Sequence, residues 1–366
     1  MRVRMMINFT QEQWGNLKRT YKAWWDGSLQ RPIVPTLVFD AEKEKYKGEY
    51  PMLSFMTSFD ESIPVKDIVK RYDGYFGACT YLGDGFPYIN CSPFGPGVVA
   101  ALLGCNVNCT PETIWFEPQE KRVEISELHF EYDENNKYFN RILNFYEAAM
   151  DQWHGEVILG MIDLGGILDI LASFRTTQGL LYDLYDEPEE VVRCVKELQE
   201  MWFFFFDKVN AYLGDRVQGH THWLGAYSEQ PSCILQSDFS FMIGNDQFKE
   251  FVEWELDSSA KRLHNTFYHM DGKGELTHLA CFLAMEGIKA IQWQPGSGDA
   301  GDMDWSELCQ KILASGKKLQ FDKIQKADGT LPDYVKNPGA LMLPGKMFYA
   351  NEMEKAKAYL AGFGAE

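Results

Sequence analysis

Side chains two apart on a β-strand project to the same side, and this sequence places metal-binding and proton-moving residues at that spacing twice. The first pair is His269 and Asp271 in Phe267-Tyr268-His269-Met270-Asp271-Gly272, where a short apolar run leads into a polar tip. An imidazole and a carboxylate converging there could be two ligands of a divalent ion, or an acid/base histidine oriented by its aspartate. The second pair is His220 and His222 in His220-Thr221-His222-Trp223. From a neighbouring strand it could complete a four-ligand site or, with Trp223, line a pocket; the alternative is burial under helices. Asp238 stands in a polar island, Gln236-Ser237-Asp238-Phe239-Ser240, suited to holding polar groups of a substrate or to capping a turn. Gln292 and Trp293 offer an amide and an aromatic wall to an organic ligand, or simple packing. Asp84 lies between Gly83 and Gly85, where a turn aspartate is equally expected.

The elements that must present these tips follow a regular rhythm from Val157 onward. Strand-like segments near 157–162, 216–223, 265–269, 288–293, 318–322 and 340–343 alternate with helical patterns at 168–174, 189–213, 246–263, 276–285, 305–314 and 352–361. Strand, polar tip, helix, strand is a βαβ unit, and repeats of roughly 25–30 residues are what a (β/α)8 TIM barrel requires, with its chemistry at the carboxyl ends of the strands. The first third is more elaborate. It opens with an amphipathic helix over 10–25, begun by Thr10 with Gln13 three residues on. A strand at 33–39, a helix at 65–76, a strand over 81–89 and a short helix within 95–104 follow, then small strands at 113–116 and 121–130 and a helix at 140–153. We expect an α/β protein: one TIM-barrel domain over 1–366, elaborated over 1–155 and regular over 156–366.

Composition narrows the partners. The 35 Lys+Arg stand against 53 Asp+Glu, a formal charge of -18, and such a field repels nucleic acid and anionic membrane surfaces. No run of about 18 apolar residues occurs, and the two arginines of the first ten residues are not followed by an apolar segment, so neither a membrane span nor a signal peptide is expected. The eight cysteines form no CxxC pair and read as free thiols of a cytoplasmic protein.

Six segments, in order, carry a family resemblance: GDGFPYI (83–89), GPGVVAALLG (95–104), TIWFEP (113–118), QSDFSFMIGNDQFKEFV (236–252), YHMDG (268–272) and IQWQPG (291–296). Together they resemble the uroporphyrinogen decarboxylase superfamily, which holds porphyrin decarboxylases and zinc- and corrinoid-dependent methyltransferases. The resemblance implies a TIM barrel with its cleft at the strand carboxyl ends, gives Asp84 the place of a pocket acid, and favours a functional Asp238. Where the decarboxylases carry several arginines for propionates, this chain has Gln30-Arg31-Pro32-Ile33-Val34-Pro35, and a substrate with many carboxylates needs several cationic forks. Where thiol-activating methyltransferases carry His-x-Cys and a late cysteine, this chain has His269-x-Asp271 and no cysteine from Leu341 to Asn351. A carboxylate in place of a thiolate makes a harder site, which takes zinc and other divalent ions.

The resemblance therefore implies methyl transfer between a methylated small molecule and a corrinoid, free or on a partner protein, or a thiol. His269 and Asp271 would hold the metal, expected to be zinc, and Asp84 and Asp238 would serve in the chemistry. His220, His222, Trp223, Gln292 and Trp293 would surround the substrate. Two alternatives stay open: a carboxy-lyase acting on a porphyrinogen or a small organic acid, and a non-catalytic barrel that binds a tetrapyrrole or other small ligand. A homodimer is compatible with the resemblance.

Overall fold

The computed structural model describes residues 7–119, 123–296 and 298–366. The start of the strand expected at 121–130 lies outside these residues; from Val123 the chain forms no strand, only a 3-10 turn at Ile125–Glu127. The arginines of the amino-terminal segment also lie outside them.

Five parallel strands form the largest sheet, in the order Leu341–Met342, Lys318–Phe321, Ile288–Gln294, Thr266–Asp271, Ile234–Gln236. They pair as neighbours in sequence, as short right-handed βαβ connections dictate. A second sheet joins Lys346–Tyr349 in parallel to Pro35–Phe39, which runs antiparallel to Cys79–Gly83. Tyr88–Ile89 pairs in parallel with Ile158–Leu159, and Asn106–Cys109 forms a hairpin with Ile114–Glu117. Isolated bonds tie these pieces together: Ile33 N donates to Leu341 O and Leu343 N to Ile33 O, both at 2.9 Å, and Met161 N donates to Thr221 O at 2.8 Å. The protein is thus α/β with parallel sheets. The continuous eight-stranded ladder expected from the repeats is not formed among the described residues.

The ladder is interrupted at the segment expected as a strand over 216–223. It holds a 3-10 turn, Gly214–Arg216, and a single antiparallel bridge between His220 and Ser228. Gly219 lies so close to the Tyr227 ring that any Cβ would meet Cε2 at 2.4 Å, and Gly225 N turns back to His222 O at 2.9 Å. A tight turn in contact with an aromatic ring replaces the regular pairing. Conversely, the strand Ile234–Gln236 carries no alternation because all three residues are buried.

The helix Gln11–Trp25 covers the inner side of the large sheet. Its capping box pairs Thr10 N with Gln13 Oε1 at 2.8 Å and Gln13 N with Thr10 Oγ1 at 3.2 Å, so Trp14, Leu17, Tyr21 and Trp24 share one buried face. They pack with Ile33, Ile234, Phe267, Ala290 and Met342. Ile234, Phe267 and Ala290 are in register across three neighbouring strands, so they form one apolar layer under the helix. What lies two residues further along each strand is the site.

Candidate functional site

The layer above that apolar floor is polar. Register aligns Gln236 with His269, His269 with Gln292, and Gln292 with Gln320. Two residues further stand Asp238, Asp271, Gln294 and Asp322. Strand period two therefore stacks apolar, amide and acidic positions on the same side of the sheet.

The hydrogen bonds of the middle layer fix the state of His269. The Trp223 indole N–H can only donate, and it donates to Gln292 Oε1 at 3.3 Å. The same oxygen lies 2.8 Å from His269 Nδ1. Nδ1 must then carry a proton; in the neutral ring this leaves the Nε2 lone pair free, the tautomer a metal ligand needs.

The Asp238, His269 and Asp271 ligand atoms all lie within 4.8 Å of one another. Thr266–Asp271 carries the last two, half-buried, while Tyr268 before them and Met270 between them are fully buried. Asp238 opens the 3-10 segment Asp238–Met242 and is exposed. That turn is held by Asp169, whose Oδ2 accepts from Asp238 N at 3.0 Å and whose Oδ1 accepts from Phe239 N. Glu275, fully buried, accepts from Asp271 N at 2.9 Å and from Tyr268 Oη at 2.7 Å, which anchors the end of the strand.

Acid is concentrated here, and among the described residues no arginine or lysine is paired with Asp163, Asp169 or Asp238. Asp163 is pushed up to about 7, mainly by burial, with Asp238 adding repulsion and His269 opposing it. Asp169 is pushed up to about 8 by burial and then by Asp238. Asp238 is raised, since the surrounding protein desolvates a carboxyl that still reaches water; His269 opposes this and Asp271 reinforces it. Asp163 Oδ1 accepts from Gly165 N at 3.0 Å and from Gln236 Nε2 at 3.1 Å. Such a cluster, with His269 as the opposing group among the described residues, is electrostatically prepared for a cation.

Beside the cluster opens a cleft of about 780 Å³, lined among others by Tyr75, Tyr88, Trp223, Gln320 and Asp322. Trp223 stands between the two: it lines the cleft, and its ring meets His269 edge-on at 5.9 Å.

Other expected residues fall elsewhere. Asp84 is not a free pocket acid: Arg31 grips it through Nη1 at 2.6 Å and Nη2 at 2.9 Å, and Val34 N donates to it at 2.8 Å. His220 and His222 are not among the three converging residues. His222 is buried edge-on against Phe267, neither ring nitrogen has a partner, and burial lowers it to about 3. His220 is lowered by burial to about 4. Trp293 packs on Trp305 at 4.9 Å, on the side of the strand opposite Gln292. The reading missed Asp163, Asp169, Gln236, Gln320 and Asp322. Asp163 and Asp322 carried the same signal as Asp271, an acid at a predicted strand tip; Asp169 and the two glutamines carried none.

No family model matches the chain, and no curated protein matches it in sequence. Among solved structures it is similar to a methyltransferase from Methanosarcina mazei, with a TM-score of 0.57 and 12% identity over 95% of this chain and 98% of that one. The likeness is one of fold: this chain has the α/β fold of a known methyltransferase.

Proposed function

We propose that this protein is a metal-dependent methyltransferase of the uroporphyrinogen decarboxylase-like kind, its sheets forming a distorted (β/α)8 barrel. It moves a methyl group between a methylated small molecule and a corrinoid or thiol acceptor. The observation that carries the reading is the convergence of Asp238, His269 and Asp271, with Gln292 fixing the histidine tautomer. The donor set of two carboxylates and one imidazole fits a divalent ion and admits zinc. Bound there, the ion would supply Lewis-acid activation of the acceptor or the leaving heteroatom.

The protein's own residues do the rest. Asp169 and Glu275 hold the backbone of Asp238 and Asp271 in place. Trp223 and Gln292 keep a proton on His269 Nδ1, so the ring does not compete for one at Nε2. The aromatic cleft holds the methylated substrate beside this group and limits the access of water. A metal-free lyase is the second reading, favoured by Asp163 poised near 7 as a proton donor. Its porphyrin form is weakened because Arg31 is committed to Asp84 and no arginine lines the cleft among the described residues.

Turnover separates the two. Methyl transfer from a panel of methylated donors to a reduced corrinoid or a thiol should require the divalent ion, vanish on chelation and return on resupply. Release of carbon dioxide from an organic acid by the chelated protein would overturn the proposal.

A further inference from the structure

The walls of the 780 Å³ cleft are aromatic, and its charged lining residues are one acid, Asp322, and one base, Lys346. Tyr72, Tyr75, Tyr88 and Trp223 line it with half-buried rings. Burial holds the phenols of Tyr72, Tyr75 and Tyr88 above their usual range, so the rings are neutral. Asp322 lines it as an exposed acid at the end of Lys318–Phe321, and Gln320 Nε2 donates to its Oδ1 at 2.8 Å. Lys346 is the one basic residue among the described lining residues. Its Nζ is engaged by other rings, 4.2 Å from the Tyr359 centroid and 5.4 Å from that of Phe348.

We propose that this cleft binds a small organic cation with a methylated onium centre, a quaternary ammonium or a sulfonium, held by the Tyr75, Tyr88 and Trp223 rings with Asp322 as its counter-charge. An onium has no N–H to donate, so it is recognised by the negative faces of aromatic rings rather than by hydrogen bonds. An anion entering here would meet the Asp322 carboxylate, while the Lys346 ammonium is drawn toward the Tyr359 and Phe348 rings. A neutral ligand would gain nothing from Asp322.

The role of the site rests on the methyl-transfer reading; the binding does not. With a thiolate acceptor the step balances. The sulfur electron pair forms the bond to the methyl carbon as the carbon–nitrogen bond breaks. Nitrogen keeps the bonding pair and leaves as a neutral tertiary amine, and the two opposite charges disappear together. A quaternary nitrogen has no lone pair for a metal to engage, so the Asp238, His269 and Asp271 group would serve the acceptor.

The test is calorimetric titration of the protein, chelated and zinc-loaded, with choline, phenyltrimethylammonium and 3,3-dimethylbutan-1-ol, the last having the shape of choline with carbon in place of charged nitrogen. We expect choline to bind at least about tenfold more tightly than the alcohol, the range of a desolvated cation–π contact. Asp322→Asn and Tyr75→Leu should each weaken choline several-fold while the circular dichroism spectrum stays unchanged. Equal affinity for choline and the alcohol, tighter binding of the tert-butyl anion 3,3-dimethylbutanoate, no effect of Asp322→Asn, or no binding of either onium at millimolar concentration would each overturn the proposal. Onium binding without methyl transfer would contradict the enzymatic reading alone. Metal-dependent methyl transfer without onium preference would contradict this inference alone.

Discussion

Two groups of carboxylates in this molecule are treated in opposite ways. Asp84 is almost fully buried and has its cation built in, a bidentate pair with Arg31. Asp183 is likewise gripped by Arg175 at 2.6 and 2.8 Å, and Glu44 by Arg71. At the carboxyl end of the large sheet Asp238 is joined by Asp163, beyond the strand Ile158–Leu159, and by Asp169, on the helix Ile167–Arg175; they repel one another, and His269 is the group that pulls Asp163 and Asp238 down. A buried charge without a partner costs several kcal/mol. The chain therefore closes its structural carboxylates internally and leaves the strand-tip group open to a cation from outside.

The sharpest way to break this comparison is to remove a partner from the first group and a charge from the second. Arg31→Ala strands a buried carboxylate and should cost about 3–5 kcal/mol of stability. Asp163→Asn keeps an oxygen to accept from Gly165 and Gln236 while relieving repulsion, so in chelated protein it should cost less than about 1 kcal/mol. Denaturant melts of both variants measure the difference. Equal losses would mean that the strand-tip acids are as structural as Asp84.

A smaller effect tests whether Gln292 acts through His269. Gln292→Leu frees Nδ1 and lets either tautomer form, and loss of such a supporting partner should weaken metal binding about 10–100-fold. A purely structural glutamine would move the melting temperature and leave metal affinity alone.

The strand-tip logic that exposed His269 and Asp271 was legible because alternation survives in Thr266–Asp271, buried between two half-buried tips. The same periodicity made the parallel sheet readable. It failed at His220 and His222, where close packing of Gly219 against Tyr227 turns the chain before a ladder can form. It failed at Ile234–Gln236 because a strand buried on both sides has no alternation to read. Arg31 and Asp84, 53 residues apart in sequence, gave no local sign of pairing. Asp169 works through backbone amides 69 and 70 residues away, a contact that only the folded chain creates.

Acid acts with opposite signs on two further buried groups, His222 and Glu255. Burial holds folded His222 at about 3, against about 6.5 in an unfolded chain. Below about 6.5 the unfolded chain takes up a proton that the folded one refuses, so stability from this residue is complete above that pH and falls toward 3, at about 1.4 kcal/mol per pH unit. Glu255 is the reverse: burial first, then Asp169, raises it to about 8. Its folded form binds the proton first, so its contribution is present at low pH and lost as pH rises through 8. Between about pH 4.5 and 6.5 the two oppose each other in the wild type. His222→Phe should remove the acid-side loss, and Glu255→Gln should flatten the alkaline one. Melting temperatures across that range, compared with wild type, would show it; parallel profiles for all three proteins would contradict the assignment.

The most direct measurement is metal content and affinity of wild type beside Asp238→Asn, His269→Ala and Asp271→Asn, each checked for an unchanged circular dichroism spectrum. We expect near-stoichiometric divalent ion, with zinc retained, in the wild type and its loss in all three variants. Wild-type protein that stays metal-free after resupply, or variants that keep the ion, would contradict that expectation.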